Sequence, residues 1–411
     1  MRVLFLSDVY FPRVNGVSTS IATFRADLAA IGVETVLIVP HYAAVPADAS
    51  DPHILRVPSG RVPRDPEDRR MHWRALQATL QRVYAQDFAL VHVHTPFLAH
   101  YAGLKFARTK GIPVVETYHT HFEEYLHHYV PLLPRLLSRR VARSVTRTQC
   151  NQVDAVVAPS AQMRELLATS GVCKPVQVIP TGLPDARFAP GVGARFRQQY
   201  GVPERRPLVL YVGRVAHEKN IDFLLCSFVE IRRARPDALL VIAGEGPARG
   251  ALATQVLRLG LGNDVAFVGY LDRNQALADC YAAAAVFVFA SRTETQGLVL
   301  LEAMAQGCAI VSTACQGTAS ILQPGCGARV APENPEVFAQ AVIDLLDDPP
   351  RAAHYDAEAQ SYARGWASSL MAWRLREFYA EQCARAKMDP EAAVQAAPGE
   401  SHERQACLDS R

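Results

Sequence analysis

Residues 285–302 read AVFVFASRTETQGLVLLE, an uncharged apolar run that leads into a segment with two glutamates. The run at 285–290 is short and β-rich, which predicts a buried strand. A polar turn with Gly297 and then a helical pattern follow, so Glu294 lies in the loop after the strand and Glu302 on the helix. The start of a helix offers unpaired backbone N–H groups and a positive dipole end. The segment therefore predicts a site for a phosphate with polyols beside it.

Similar apolar runs alternate with helix-length segments along the chain, and a Pro- and Gly-rich connection near residues 181–207 separates two series of them. This alternation is typical of parallel βαβ sheets with helices on both faces. We therefore predict an α/β fold with two doubly wound sheets, whose ligands bind at the carboxyl ends of the strands. The expected strands lie at 3–6, 35–39, 90–93, 113–117, 155–158 and 176–179, and at 208–212, 239–243, 265–268, 285–290 and 309–312.

Composition limits the function classes. The chain has 411 residues, enough for two domains, and a formal net charge of +3, which gives no strong field for nucleic acid. The sequence has no run of 18 apolar residues, so we expect no transmembrane helix. The chain begins with a predicted strand at residues 3–6, which does not resemble a signal peptide. Nine scattered cysteines without a CxxC pair suit a reduced cytoplasm. We expect a cytoplasmic location, with peripheral attachment to the inner face of the cell membrane as an option.

A second charged motif follows the expected strand at 208–212. Gly213-Arg214-Val-Ala-His-Glu-Lys219-Asn puts a guanidinium and an ammonium at that strand's carboxyl end. Both groups suit phosphate oxygens, and the sequence contains no Asp-x-Asp segment that would hold a metal for a diphosphate. We therefore expect metal-free charge stabilisation and no cofactor. An ordinary surface Arg and Lys at a helix start is the alternative.

The first half carries two motifs at corresponding places. Asn15-Gly16-Val17 follows the first expected strand, where Gly16 would let a ligand approach backbone N–H groups. Tyr118-His119-Thr120 follows the strand at 113–117, where a histidine can bind a sugar hydroxyl. Taken singly, the first motif could be only an Asn-Gly turn, and His119 only a packed or surface histidine.

Taken together, these four motifs resemble the site of the family 4 retaining glycosyltransferases, which have the GT-B fold of two facing doubly wound domains. The resemblance covers roughly residues 1–385. It implies an acceptor-binding domain at 1–190 and a nucleotide-sugar domain at 200–365. Residues 354–384 carry a long helical pattern, and a helix at 366–387 would pack back on the first domain. Residues 388–411 turn polar without periodicity, which predicts a disordered tail.

The family pattern also implies roles for the residues of the second domain. Arg214 and Lys219 would hold the diphosphate, and Glu302 the ribose hydroxyls. Glu294 would contact the transferred sugar, helped by backbone N–H groups of the donor-binding loop. That loop is Gln296, Gly297 and Leu298, and the nucleotide base would lie near Gly269, Tyr270 and Leu271.

In the first domain the resemblance puts Gly16 opposite the diphosphate and His119, a catalytic candidate with Glu294, beside the transferred sugar. It implies retention at the anomeric carbon. No residue is an obvious covalent nucleophile, which favours a same-face route in which the departing diphosphate assists deprotonation of the acceptor.

The motif wording, including Gln296, is most similar to enzymes that glycosylate membrane lipids, in particular diacylglycerol glucosyltransferases. UDP-glucose is then the favoured donor. The alternative is a GDP-mannose-dependent α-mannosyltransferase acting on a phosphoinositide or a soluble glycan. Two other classes stay open, a nucleotide-sugar 2-epimerase of the same fold and a catalytically silent binding subunit.

A basic segment agrees with a lipid acceptor. Residues 134–151 contain no acid, and their arginines fall mainly along one face of a helix. Such a helix can lie on an anionic membrane, although a solvated basic face is the simpler alternative. The expected membrane contacts are Arg135, Arg139, Arg140, Arg143 and Arg147.

Two further patterns are interpreted as decoys. Gly244-Glu-Gly246-Pro-Ala-Arg-Gly250 resembles a dinucleotide fingerprint, but its third glycine is one position late and Pro247 interrupts the turn. His92-x-His94 and His119-x-His121 could suggest zinc, yet no carboxylate or cysteine completes a ligand set.

Overall fold

The computed structural model describes residues 1–43, 51–62, 65–119, 135–272 and 275–388. Two parallel sheets form its framework, as the sequence predicts, each with helices on both faces. Within the described residues, the first sheet has seven strands and the second has six. The segment expected to be a disordered tail lies outside the described residues, apart from Met388.

The first domain contains nine strands and five helices among its described residues. Its strands are β1 (Arg2–Leu6), β2 (Glu34–Pro40), β3 (Ile54–Val57), β4 (Ser59–Val62), β5 (Asp65–Met71), β6 (Leu90–Val93), β7 (Val114–Thr117), β8 (Ala155–Ala158) and β9 (Val176–Val178). Its helices are α1 (Gly16–Ala30), α2 (Trp73–Val83), α3 (Leu98–Lys110), α4 (Arg135–Gln152) and α5 (Ala161–Thr169). Strands β4 and β5 form a separate antiparallel hairpin.

The second domain repeats the pattern. Its strands are β10 (Leu208–Val212), β11 (Leu239–Ala243), β12 (Val265–Gly269), β13 (Val286–Phe289), β14 (Ile310–Ser312) and β15 (Ala328–Val330). Its helices are α6 (Gly193–Tyr200), α7 (Ile221–Ala234), α8 (Arg249–Arg258), α9 (Ala276–Ala283), α10 (Leu298–Ala305), α11 (Pro335–Asp347) and α12 (Pro349–Arg364). The last described helix of the chain is α13 (Ser368–Met388).

The order of the strands determines where ligands can bind. The first sheet has the order β3-β2-β1-β6-β7-β8-β9, and the second has the order β12-β11-β10-β13-β14-β15. In the first sheet β1 pairs with both β2 and β6, and in the second β10 pairs with both β11 and β13. At these places the strand order reverses, and the loops that follow the strands diverge to opposite faces and leave a crevice. The loops after β1, β10 and β13 carry three of the four motifs identified in the sequence, and the fourth begins after β7.

One expected element differs from the structure. The continuous helical pattern at 354–384 is two helices, α12 and α13, separated at residues 365–367. The backbone of Leu183 occupies this break, since its N–H donates to the Trp366 carbonyl at 2.7 Å and its carbonyl accepts from Ser368 N–H at 2.9 Å. A contact from a distant linker therefore interrupts a pattern that is locally helical.

The terminal helix α13 packs back on the first domain. Its buried side chains join the core cluster that contains Val3 and Phe5 of β1 and Ile21 of α1. These side chains are Met371, Ala372, Leu375, Phe378 and Tyr379. The helix thus ties the end of the chain to the first sheet.

Candidate active site

The structure brings two of the predicted donor-binding residues into direct contact. Lys219, in the loop after β10, lies with its Nζ 2.5 Å from Glu294 Oε1 in the loop after β13. Their side chains are 17% and 20% exposed, so the pair is accessible to a ligand. Arg214 is nearby in the same loop, with Nη1 3.8 Å from Glu218 Oε1. A cation and a carboxylate therefore meet where the strand order reverses, and a second cation lies on the loop that carries Lys219.

The glycine-rich segment interpreted as a decoy supports the Arg214 loop. A Cβ on Gly244 would lie 1.9 Å from the Gly213 carbonyl oxygen, and one on Gly246 would lie 2.3 Å from that of Val215. From beneath, the buried Tyr211 hydroxyl donates to the Arg214 carbonyl at 3.1 Å. The glycines thus allow a close approach of two backbones that fixes the direction of the loop.

Helix α10 presents its amino end beside Glu294. Gly297 precedes the helix with a left-handed φ of 94°, and no side chain caps the helix start. The uncapped end can accept an anion. Glu302, on the second turn, is only 4% exposed, and Tyr281 donates a hydrogen bond to its Oε2 at 3.2 Å.

The side chain of Gln296 does not face a ligand. It is 5% exposed, its Oε1 accepts from Thr181 N–H at 2.9 Å, and its Nε2 donates to the Thr181 carbonyl at 2.6 Å. Thr181 in turn donates from Oγ1 to Ser20 Oγ of α1 at 2.7 Å. Both ends of the Gln296 amide are therefore used to join the donor loop to the linker and to the first domain, and only its backbone is left for a donor.

Gly16 and His119 follow β1 and β7 of the first domain, and Thr120 of the second motif lies outside the described residues. Asn15 caps α1 by accepting from Ser18 N–H at 2.8 Å, and no atom of the described residues lies within 4 Å of a Cβ placed on Gly16. His119 follows β7, and its Nε2 lies 3.1 Å from His94 Nδ1. Burial lowers the pKa of His119 to about 3, so its imidazole is neutral at pH 7.

The predicted base region lies next to the supporting glycines. Gly269 ends β12 with a φ of 75°, and its carbonyl accepts from Gly244 N–H at 2.8 Å. Tyr270 is 58% exposed, whereas Leu271 is buried. An exposed aromatic ring is therefore available at this end of the candidate nucleotide site.

The basic segment is helical from Arg135 onward, as α4. Arg140, Arg143 and Arg147 are exposed, while the side chains of Arg135 and Arg139 lie outside the described set. From residue 140 onward the side chains of α4 that pack inward are small or polar, and Val141 and Val145 are themselves 40% and 37% exposed. The outer face therefore mixes cations with apolar side chains. In the described parts of the chain, no helix is long and apolar enough to cross a membrane.

Of the candidate zinc histidines, His92, His94 and His119 are described, and His121 lies outside the described residues. Within the described residues, no group of three His, Cys, Asp or Glu side chains is placed to hold a metal ion. Burial holds the pKa values of His92 and His94 well below the usual range, so these rings are neutral.

One carboxyl at the carboxyl edge of the first sheet belongs to none of the motifs identified in the sequence. Asp8 follows β1 and is 8% exposed; its Oδ2 accepts from the Thr95 hydroxyl at 2.8 Å and from Ala99 N–H at 3.1 Å. Burial raises its pKa to about 6 despite these bonds. Its position directly after the first strand was the signal that could have identified it.

Comparisons with known proteins agree with this geometry. Residues 14–187 match the family described as Glycosyltransferase Family 4, and residues 193–362 match Glycosyl transferases group 1. The alpha-monoglucosyldiacylglycerol synthase of Streptococcus pneumoniae is 32% identical over 321 residues, 76% of this chain and 71% of that protein.

Two further similarities span more of the chain. The GDP-mannose-dependent alpha-(1-6)-phosphatidylinositol dimannoside mannosyltransferase of Mycobacterium tuberculosis is 28% identical over 382 residues, 90% of this chain and 95% of that protein. The structure of a sucrose-phosphate synthase from Thermosynechococcus elongatus aligns with a TM-score of 0.78 at 21% identity, covering 94% of this chain and 100% of that one. That likeness shows the GT-B fold.

The predicted fold class and family are thus confirmed: the chain belongs to the family 4 glycosyltransferases of the GT-B fold, whose members are typically retaining enzymes.

Proposed function

We propose that this glycosyltransferase moves a hexose from a nucleotide-sugar, with UDP-glucose favoured, to a membrane lipid such as diacylglycerol. The carrying observation is the contact of Lys219 with Glu294 at the uncapped start of α10. A cation, a carboxylate and amide dipoles at one point suit a diphosphate joined to a sugar. The similarity to a monoglucosyldiacylglycerol synthase supports glucose and the lipid acceptor.

In the proposed mechanism the protein positions the reactants and stabilises charge. Lys219 and Arg214 take the negative charge that develops on the departing diphosphate, and the amide groups at the start of α10 add to this. Glu294 holds sugar hydroxyls, and its ion pair keeps Lys219 directed at the cleft. Fixed cations of this kind support leaving-group stabilisation without a divalent ion. The same-face route then gives retention, with the diphosphate assisting deprotonation of the acceptor.

Single substitutions test the proposal. Purified Lys219→Ala and Glu294→Ala should lose at least about 10²-fold in kcat/KM for transfer or donor hydrolysis, because each removes a group that stabilises the transition state. The exposed residues Lys105 and Glu336 supply matched controls, and their alanine variants should retain full activity. Unchanged turnover in folded Lys219→Ala and Glu294→Ala would refute the assignment.

The second candidate uses GDP-mannose and a phosphoinositide or soluble glycan. Its support is the similarity, over nearly the whole chain, to a GDP-mannose-dependent phosphatidylinositol dimannoside mannosyltransferase. At equal concentration, the nucleotide that binds more tightly stabilises the folded protein more, so thermal unfolding with UDP or GDP separates the two candidates. Protection by GDP alone would replace the UDP-glucose proposal with this one.

We also propose that the outer face of α4 contacts the anionic inner face of the membrane, which would bring the lipid acceptor to the cleft. Exposed arginines beside exposed valines support this, since such a face gains from both anionic headgroups and the acyl boundary.

A further inference from the structure

Three histidines form a stack at the carboxyl edge of the first sheet. His92 lies on β6, His94 directly after it, and His119 directly after the neighbouring strand β7. The ring centroids of His92 and His94 are 4.1 Å apart, and those of His94 and His119 are 5.4 Å apart with planes at 25°. His92 and His94 are each 1% exposed, so their hydrogen bonds decide their protonation.

The rings of His92 and His94 differ in how many of their nitrogens are hydrogen-bonded. His92 bonds at both nitrogens, with the Tyr379 hydroxyl 2.5 Å from Nδ1 and the Thr117 hydroxyl 2.7 Å from Nε2. His94 bonds through Nδ1 to His119 Nε2 at 3.1 Å. Its own Nε2 is buried and has no hydrogen-bond partner in the described part of the chain.

This difference selects one tautomer. Since burial keeps His94 and His119 neutral, each ring carries one proton, and one of the two donates to the other. If His119 donated, His94 would hold its proton at Nε2, a buried N–H without an acceptor. Such an orphaned donor is rare and costly. If His94 donates instead, only a lone pair remains unsatisfied at Nε2, and His119 carries its proton at Nδ1.

We propose that His94 is a positioning residue that fixes His119 as the Nδ1–H tautomer, so that His119 donates a hydrogen bond from Nδ1 to a hydroxyl oxygen of the transferred sugar. The sugar contact rests on the proposed function, whereas the tautomer does not. Nε2 of His119 is occupied by His94, which leaves Nδ1 as the ring nitrogen for a ligand. A neutral donor can bind an oxygen atom without adding a charge beside the diphosphate site.

The direct test is a two-bond ¹H–¹⁵N correlation spectrum of the full chain labelled with ¹⁵N-histidine. His119 is assigned by the signal that disappears in His119→Asn. At pH 7 its Nδ1 should show the shift of a protonated nitrogen and its Nε2 that of an unprotonated one. Addition of UDP-glucose or GDP-mannose should move the Nδ1 signal, whereas the free nucleotide diphosphates should move it less. The reverse tautomer, or no response to either sugar donor, would overturn the proposal.

Two substitutions at His94 test the positioning role by its effect on kcat. His94→Leu removes the donor and should lower kcat at least about tenfold, the loss expected for one misdirected hydrogen bond. His94→Asn keeps an N–H close to the position of Nδ1 and should recover activity to within about threefold of the original protein.

Tyr379→Phe is the matched control for destabilisation. It removes a buried hydrogen bond from the same stack, at His92, without changing the bond between His94 and His119. We expect kcat within about twofold of the original and an unchanged His119 tautomer. A loss of activity equal to that of His94→Leu, or failure of His94→Asn to recover activity, would contradict the positioning role. Absence of sugar transfer in the unmodified protein, with the tautomer as stated and Nδ1 responding to a sugar donor, would count against the acceptor assignment alone.

Discussion

The side chain of Gln296 links the donor-binding loop to the linker between the two domains. Its amide bonds both backbone groups of Thr181, which is itself 5% exposed. Gln296→Leu has similar size but leaves the Thr181 N–H and carbonyl buried without these partners. We expect the free energy of unfolding, measured with urea, to fall by about 2–4 kcal/mol.

Gln340 provides the comparison for that substitution, because it is exposed and donates to Asp344 at 2.7 Å on the surface of α11. Gln340→Leu should change stability by less than about 0.5 kcal/mol. Equal effects of the two substitutions would show that the bonds to Thr181 contribute nothing special.

Asp8 gives a pH-dependent prediction. Burial raises its pKa from 3.8 to about 6, so the folded chain binds this proton more tightly than the unfolded chain. The stability contributed by the neutral carboxyl is complete below about pH 4 and declines as the pH rises to about 6. Asp8→Asn cannot lose a proton. Its stability relative to the original should therefore improve by about 2–3 kcal/mol between pH 4 and pH 7. Unfolding curves at both pH values measure this, and a difference independent of pH would contradict the raised pKa.

The site residues that the sequence identified are those whose position follows from strand ends. Lys219 and Glu294 follow two strands that pair in one sheet, so their meeting could be inferred. The bond between Gln296 and Thr181 joins positions 115 apart through a linker, and no local pattern records such a contact. The contact between His94 and His119 is equally hidden, although the sequence motifs contain both residues.

The sequence predicted all the interior strands of the two sheets and the edge strands β9 and β12, but it missed the edge strands β3 and β15 and the hairpin of β4 and β5. β8 and β10 are buried on both faces and therefore read as uninterrupted apolar runs. β3 and β15 lie at sheet edges and are largely half-buried, and β5 reads DPEDRRM. Pairing with a neighbouring strand stabilises these strands more than hydrophobic burial does. Their sequences therefore lack the apolar pattern that predicts a strand.

Helix α4 carries a prediction at the same scale. If its outer face lies on lipid, Arg139→Glu combined with Arg143→Glu should lower affinity for anionic vesicles at least tenfold, since each cation near the surface contributes about 1 kcal/mol. Sedimentation with vesicles rich in phosphatidylglycerol measures this. Arg205→Glu with Arg258→Glu makes the same change in net charge on exposed residues of the second domain and should leave binding intact. Equal losses for both pairs would indicate a general charge effect and not a surface specific to α4.

The chain forms the first domain and then the second, and its last described helix, α13, packs again on the first domain. Five inward side chains of that helix join the core around β1 and α1, and Tyr379 also bonds His92. Burial of each large side chain contributes about 1.5–3 kcal/mol, so the returning helix belongs to the first domain energetically. A chain ending at Arg364 should then melt more than about 10 °C lower or fail to fold, whereas one ending at Met388 should melt like the full chain.

Phe378→Ala refines this prediction, because it leaves the chain length unchanged. Phe378 is 5% exposed within the shared core, so its loss should cost about 3–5 kcal/mol of unfolding free energy. Trp373, on the same helix but 47% exposed, serves as the control, and Trp373→Ala should cost far less. Limited trypsin digestion with mass spectrometry can locate the effect: in Phe378→Ala the new early cleavages should fall in the first domain. Early cleavage confined to the second domain would contradict this prediction. It would mean that α13 stabilises the second domain, which precedes it in sequence, and not the first sheet, on which it packs.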